Sequence, residues 1–296
     1  MKIFYGISNK YIDVTQYCLS NLTKDNIITI CWGDEQRAKM FTDPFINVVK
    51  KIFIVNNNQL TEYDHNMNIQ INLINNTIAT INENDIAEHL KIIQSKLKLD
   101  NGNFDEELPE QKMAVRYLSG NEKVLEIGGN IGRNSLIIAS ILVNSINLVT
   151  LECDTDIAIQ LSHNRDQNNL NFNIENAALS NRRLIQKGWD TLPSDTLLEG
   201  YNWVNTITLD DLKRKYNIAF DTLVLDCEGA FYYILMDMPE ILDNIKLIIM
   251  ENDYWDLSHK KYVDETLILH NFTNAYNESG GWGPCYNNFF QVWSKP

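Results

Sequence analysis

Apolar and polar residues alternate in short runs through the first quarter of the chain, and then the period changes. Lys2–Tyr5, Ile27–Cys31, Lys51–Val55 and Met67–Leu73 are brief runs rich in Ile, Val, Phe and Tyr, separated by breaks that carry Asn, Asp or Gly. Runs of that kind predict strands, so residues 1–76 are expected to form a small β-rich module. From Glu83 onward Ile86, Leu90, Ile93 and Leu97 recur at helical spacing, which predicts a helix to about Leu99. It belongs to a helical connector, 77–104, that Asn101-Gly102-Asn103 interrupts. Pro109 suits a first helical turn and Met113 shares a face with Tyr117, so a second helix is expected to Leu118, stopped by Gly120.

Beyond residue 105 strands and helices alternate. Val124–Ile127 is an apolar run, a glycine turn follows, and Arg133–Leu142 reads as a helix. Asn147–Leu151 is a second strand, Asp154 can cap a helix to about Asn168, and Asn173–Ala177 is a third strand. Such an alternation predicts an α/β domain, 105–296, with a doubly wound, mostly parallel sheet that takes ligands at the carboxyl ends of its strands. Residues 181–206, with Trp189, Pro193, Tyr201 and Trp203, fit a β-hairpin insertion near a substrate or plain surface β-structure equally well. Leu247–Glu251, Leu267–Phe272 and Phe289–Trp293 are expected as the remaining strands.

Composition narrows the partners. The chain has 296 residues, 44% apolar and 22% charged, with a formal net charge of −14, which describes one large and one small globular domain. That charge argues against a nucleic-acid groove or an anionic membrane surface and points to a substrate that is neutral or small. The five cysteines are scattered without C-x-x-C spacing, so reduced thiols in a cytoplasm are expected, with no disulfide framework or zinc site. No classical signal sequence and no run of 18 apolar residues is present, so neither export nor membrane insertion is expected.

The glycine turn carries the first chemical signal. In Val124-Leu125-Glu126-Ile127-Gly128-Gly129-Asn130-Ile131-Gly132, glycines let backbone N–H groups approach a ligand while the following helix start favours negative charge. The dinucleotide spacing G-x-G-x-x-G fails, since Asn130 and Arg133 occupy its later positions. The acid two residues before Gly128, with Gly132 four after it, instead resembles the E-x-G-x-x-x-G motif of class I S-adenosylmethionine (SAM) methyltransferases. A side chain at Gly128 is then expected to take the cofactor's place and leave the fold intact. Glu152 closes the second strand, where an acid can accept both ribose hydroxyls of such a cofactor.

Three further blocks extend the resemblance. Val204-Asn205-Thr206-Ile207-Thr208-Leu209-Asp210-Asp211-Leu212, Asp221-Thr222-Leu223-Val224-Leu225-Asp226-Cys227-Glu228-Gly229-Ala230 and the closing Phe290-Gln291-Val292-Trp293 are similar to the FkbM family of SAM-dependent O-methyltransferases over about residues 105–296. Asn176-Ala177-Ala178-Leu179-Ser180 also falls where that family has it. The chain departs from the family's K-x-D-V-E-G at Val224 and Cys227 and keeps Asp226 and Glu228. The resemblance implies a seven-stranded Rossmann-like sheet, a cofactor site of Glu126, Gly128, Gly129, Asn130, Gly132, Glu152, Asn176 and Ala177, and methyl transfer to a hydroxyl of a sugar or glycan precursor. In the first module, Tyr11–Thr15 and Gly33–Arg37 with Phe41–Pro44 resemble a module of sugar-modifying proteins. Packing or homodimerisation is its expected role.

Removing a hydroxyl proton calls for a carboxylate. Asp226 at the end of the fourth strand is the first candidate base, with Glu228 beside it and Glu251 and Asp253 ending the fifth. Together these oxygens could hold Mg²⁺, or one acid could act as base while the others orient the substrate. His259 is an alternative base, and Trp282 in the glycine-rich loop 280–285 could stack on a sugar face. Two other readings compete. One is a SAM-fold scaffold without catalysis in a glycan-assembly complex. The other is N-methylation, against which the fourth strand ends in Asp226-Cys227-Glu228-Gly229 where an amine site usually has N/D-P-P-Y.

Overall fold

The computed structural model describes residues 1–24 and 26–295. The chain forms two compact units, Met1–Glu88 and His89–Pro296.

The first unit contains β1 (Lys2–Ile7), β2 (Lys10–Asp13), α1 (Thr15–Asn21), β3 (Thr23–Lys24), β4 (Ile27–Ile30), α2 (Asp34–Phe41), β5 (Lys51–Asn56), β6 (Gln59–Tyr63), β7 (Met67–Asn72) and β8 (Thr77–Asn82). They make two antiparallel sheets, β2-β1-β5-β6 and β3-β4-β7-β8. Alternate positions, Ile3 and Tyr5, Ile28 and Ile30, Ile52 and Ile54, Ile69 and Ile71, are buried together, as a period of two requires. The stretch that resembles a sugar-related module supplies internal ties. Asp34 accepts the Tyr5 hydroxyl at 2.8 Å, and Lys50 is paired with Asp34 and Asp43 at 3.1 and 2.8 Å. The Arg37 side chain, 0% exposed, donates from each of its three nitrogens to a carbonyl, those of Cys31, Asp64 and Met67, which offsets part of the cost of burying its charge.

The connector differs from expectation at both ends. Thr77–Asn82 is strand β8, paired antiparallel with β7. The helix α3 begins at Glu83 and ends at Gln94. Thr77, Ile78, Thr80 and Ile81 are β-branched, and their cross-strand partners decide the conformation.

The second unit contains α4 (Leu108–Tyr117), β9 (Val124–Ile127), α5 (Arg133–Ile141), β10 (Leu148–Leu151), α6 (Thr155–Gln167), β11 (Asn173–Glu175), β12 (Ala178–Leu179), β13 (Leu184–Lys187), β14 (Asp190–Pro193), β15 (Asn202–Val204), β16 (Thr206–Ile207), α7 (Leu209–Tyr216), β17 (Thr222–Leu225), α8 (Phe231–Asp237), β18 (Leu247–Glu251), α9 (Leu257–Leu269), β19 (Thr273–Glu278) and β20 (Phe290–Ser294). Seven strands form one sheet in the order β11-β10-β9-β17-β18-β20-β19. All pairs are parallel except those made by β20, which runs antiparallel to both neighbours. Numbered by their place in the chain, the strands run 3-2-1-4-5-7-6, the order of the class I methyltransferase fold. β9, β10 and β17 are buried at every position, as central parallel strands covered on both faces must be. The region 181–206 is a separate three-stranded sheet, β14-β13-β15.

Leu267–Phe272, expected as a strand, is instead the end of α9 and the turn after it. Lys260, Val263 and Leu267 are buried at helical spacing, and Asn271 makes the turn with φ +64°. The three-residue apolar run Leu267–Leu269 has no period of its own to distinguish helix from strand. Among the described residues no helix is long and apolar enough to cross a membrane.

Gly128 corrects a second expectation. A Cβ built on it would stand 1.6 Å from the Asp226 carbonyl oxygen, and its φ of +92° suits glycine. The position is closed by the end of β17 rather than by a cofactor. Gly128→Val is therefore expected to destabilise the second unit by several kcal/mol. Urea unfolding followed by tryptophan fluorescence checks this, and a midpoint equal to that of wild type would refute it.

Candidate active site

The carboxyl ends of the parallel strands open on a cavity of about 980 Å³ in the second unit, at the edge where parallel α/β sheets bind ligands. Of the residues expected at a cofactor site, Gly128, Asn130, Glu152 and Ala177 line it, as do all four proposed catalytic acids, Asp226, Glu228, Glu251 and Asp253. Glu126, Gly129, Gly132 and Asn176 are not among its lining residues. They support it from behind. Glu126 is buried and accepts the Ser135 hydroxyl of α5. The Asn176 amide donates to the Glu152 carbonyl at 2.8 Å. A Cβ on Gly129 would meet the Thr150 hydroxyl at 2.4 Å, and one on Gly132 the Leu161 side chain at 2.6 Å, so these glycines let α5 and α6 pack closely. His259 stacks on Tyr232 with ring centroids 3.8 Å apart and is not part of the lining.

Glu152 is held from below. Its two carboxylate oxygens accept the backbone N–H groups of Asn130 at 2.9 Å and Asp154 at 2.8 Å, which fixes the side chain at the end of β10 and ties it to the glycine turn. Each oxygen keeps a lone pair for a further donor. Leu151, Ala177, Ala178 and Leu179 give the neighbouring wall an apolar surface. Turn, acid and apolar wall together fit the ribose and the flat base of an adenosyl group.

The opposite end of the cavity is built from α4 and the ends of β17 and β18. Glu107 pairs with Arg133 at 2.9 Å and accepts the Asn130 amide at 3.2 Å, which joins the start of α4 to the glycine turn. Glu110 in the first turn of α4 is hydrogen-bonded to Glu251 at the end of β18. Glu228, in the left-handed region with φ +50°, is hydrogen-bonded to Asp253. The rim carries three exposed tryptophans, Trp189 from the β13–β14 turn, Trp255 after β18 and Trp282 after β19. Because β19 runs parallel to β18, its following loop emerges on this side.

So many acids in one enclosed space hold on to protons. Desolvation, aided by Asp253, raises the Glu228 carboxyl to about 7. Burial raises Glu107 to about 7 against the opposing charge of Arg133, and Glu126 to about 7 against the Ser135 hydrogen bond. Glu251 is pushed to about 11 by burial, its hydrogen bond to Glu110 and the nearby Asp226. Asp226 is held well above the carboxylate range by burial and by Glu107, Glu110 and Glu228. Glu152 is raised by burial, and the N–H groups of Asp154 and Asn130 oppose the rise. The described residues contain no group of three or more His, Cys, Asp or Glu side chains arranged to hold a metal ion.

Glu106, Glu107 and Glu110 escaped the sequence reading. An acid in the first turn of a helix normally complements the helix dipole, and nothing local connects Glu110 to a strand end 141 positions later. Trp255 was equally silent, since it reads as an ordinary exposed aromatic, whereas the region around Trp189 fits an insertion near the substrate and plain surface β-structure equally well.

No family model matches the chain, and no curated protein matches it. Solved structures resemble it at low identity. An O-methyltransferase from Bacillus cereus in complex with SAH is 16% identical, with 71% of this chain and 91% of that one covered and a TM-score of 0.40. A ribosomal protein L11 methylase from Lactobacillus delbrueckii subsp. bulgaricus is 11% identical over 67% and 83%, with a TM-score of 0.42. An rRNA methylase from Streptococcus thermophilus is 11% identical over 62% and 93%, with a TM-score of 0.39. The class I methyltransferase fold itself rests on the strand order of the seven-stranded sheet.

The raised carboxyls carry a stability consequence. Each is protonated in the folded state at a pH where the unfolded chain has already ionised it. Its stabilising contribution is complete below about pH 4.5 and is lost as pH rises through the folded value, about 7 for Glu107, Glu126 and Glu228. The ligand-free second unit should therefore melt at least about 5 °C lower at pH 8 than at pH 5. Scanning calorimetry at the two pH values tests this, and a melting temperature that stays level or rises would contradict it.

Proposed function

We propose that the second unit is a SAM-dependent O-methyltransferase of the FkbM type, which methylates a hydroxyl of a small molecule, a sugar or glycan precursor. The observation that carries this reading is one cavity with a backbone-anchored acid and apolar wall at its β10–β11 end and carboxyl groups at its β17–β18 end. When bound, SAM supplies an electrophilic methyl group on a sulfonium. The chain's own residues have three tasks. Glu152 accepts the ribose hydroxyls, with its orientation set by the Asn130 and Asp154 N–H groups. Leu151, Ala177 and Leu179 exclude water around the base.

Proton removal falls to the acids at the other end. Asp226, the first candidate from the sequence, keeps its own proton in the ligand-free state and is suited to orient the acceptor hydroxyl. Glu228 ionises near 7, where a general base is most effective at neutral pH. It lines the same cavity, and while protonated it donates a hydrogen bond to Asp253. Glu251 remains protonated and cannot serve as base at neutral pH.

Two measurements test this assignment. Glu152→Ala should weaken SAM by about 1–3 kcal/mol, the cost of leaving enclosed hydroxyls without an acceptor; calorimetric affinity equal to wild type would mean that the ribose is held elsewhere. Glu228→Gln should leave SAM affinity intact while kcat falls on the order of 10² or more, and the rise of kcat with pH through about 7 should disappear. Should Asp226→Asn instead abolish that rising limb while Glu228→Gln retains it, the base is Asp226.

A further inference from the structure

We propose that the acceptor carries a protonated amine, as an amino sugar does, and that Glu110 and Glu251 receive it. This rests on the methyltransferase reading above and names the substrate class of that same site. Charge balance is the first ground. Ten carboxyl groups line the cavity; two of them, Glu106 and Glu107, are paired with Arg133, and Arg182 is the one cationic lining residue among those described. Arg182 is already committed to Asp237, with contacts at 2.6 and 2.7 Å. For the carboxyls that remain, beyond the single positive charge of a sulfonium, a ligand that brings positive charge is the complement.

The second ground is an unsatisfied atom. Glu110 is 6% exposed and lines the cavity, yet its Oε2 is buried with no hydrogen-bond partner. A buried acceptor left empty is costly, and an ammonium offers three donors with a compensating charge. Glu251 is hydrogen-bonded to Glu110 and keeps its proton up to about 11, so an entering cation can replace that proton and bond to both carboxyls.

Position separates this pair from the ribose end of the cofactor site. Glu251 ends β18 and Glu152 follows β10, three strands away in the sheet, about 14 Å at ordinary strand spacing. Proton abstraction needs one carboxylate, and Glu228 with Asp253 provides it, so the Glu110–Glu251 pair is free for recognition. Charged groups facing it come from every neighbouring element: Glu107 just before α4, Asp226 and Glu228 after β17, Asp253 after β18 and Glu278 on β19. Two cations stand on or beside these elements, Arg133 paired with Glu106 and Glu107 and Arg116 over the Tyr276 ring. The exposed Trp189, Trp255 and Trp282 on the rim suit the apolar face of a sugar ring and attract cations through their ring faces.

The test is calorimetry on the full chain saturated with S-adenosylhomocysteine, with glucosamine, N-acetylglucosamine and glucose as probes. N-acetylglucosamine keeps the ring and removes the charge. Glucosamine should bind at least about tenfold more tightly than either neutral sugar, as charge-assisted hydrogen bonds allow. Glu110→Gln and Glu251→Gln should each bring that preference to within about threefold. Equal affinities of the three sugars for the wild-type protein, or no glucosamine binding at millimolar concentration, overturn the amine while S-adenosylhomocysteine binding stands. Failure of S-adenosylhomocysteine to bind the wild-type protein overturns the cofactor reading itself. Because the wild-type comparison decides the matter alone, a variant that does not fold cannot obscure it.

Discussion

Carboxyl groups crowded into one enclosed space, where Arg133 and Arg182 answer only three of the ten, are the constraint on which this site depends. In water each would ionise near pH 4. Inside the cavity desolvation and mutual repulsion favour the neutral form, so Glu251 and Asp226 keep protons and Glu228 titrates near neutrality. The outcome is a graded set. One acid is bound to backbone N–H groups, one is poised near pH 7, and one, Glu251 at the end of β18, keeps its proton beside Glu110 of α4. The same chemistry thus takes on different roles through surroundings alone.

The fold exists to hold those surroundings in place. Parallel strands deliver their carboxyl ends to one edge, so Glu152, Asp226 and Glu251 converge although they lie far apart in the chain. Gly128 brings β9 against the backbone of Asp226 more closely than any side chain would permit. Arg133 at the start of α5 pairs with Glu106 and Glu107, and so links the helix after the glycine turn to the segment that starts α4. A site of like charges on mobile loops would spread apart; here each acid is attached to a strand end, a helix turn or an ion pair. The β13–β15 sheet and the loop after β19 add the tryptophan rim on the open side.

How legible this was differs residue by residue. The turn from Glu126 to Gly132 could be read because its glycines and acid are neighbours in the chain, and Glu152 because an acid closing the second strand has a fixed place in such sheets. Asp226 and Glu228 were legible for the same reason. Gly128 was seen as special but given the wrong partner, since the sequence shows that a Cβ is missing without showing what lies against it. Leu267–Phe272 failed because a short apolar run suits helix and strand alike, and the spacing of Lys260, Val263 and Leu267 settled it only once packed. Glu110 was invisible: its meaning comes from Glu251, and local patterns do not report a contact across the sheet.

By itself the sequence determined the alternation of strands and helices, the glycine turn and the acids at the strand ends, because these follow from periodicity and from backbone requirements within a few residues. Only the tertiary structure decided which acids meet, which of them stay protonated and where the orphaned Glu110 oxygen lies. Those properties depend on desolvation and on distances between elements remote in the chain, and both arise when the sheet assembles.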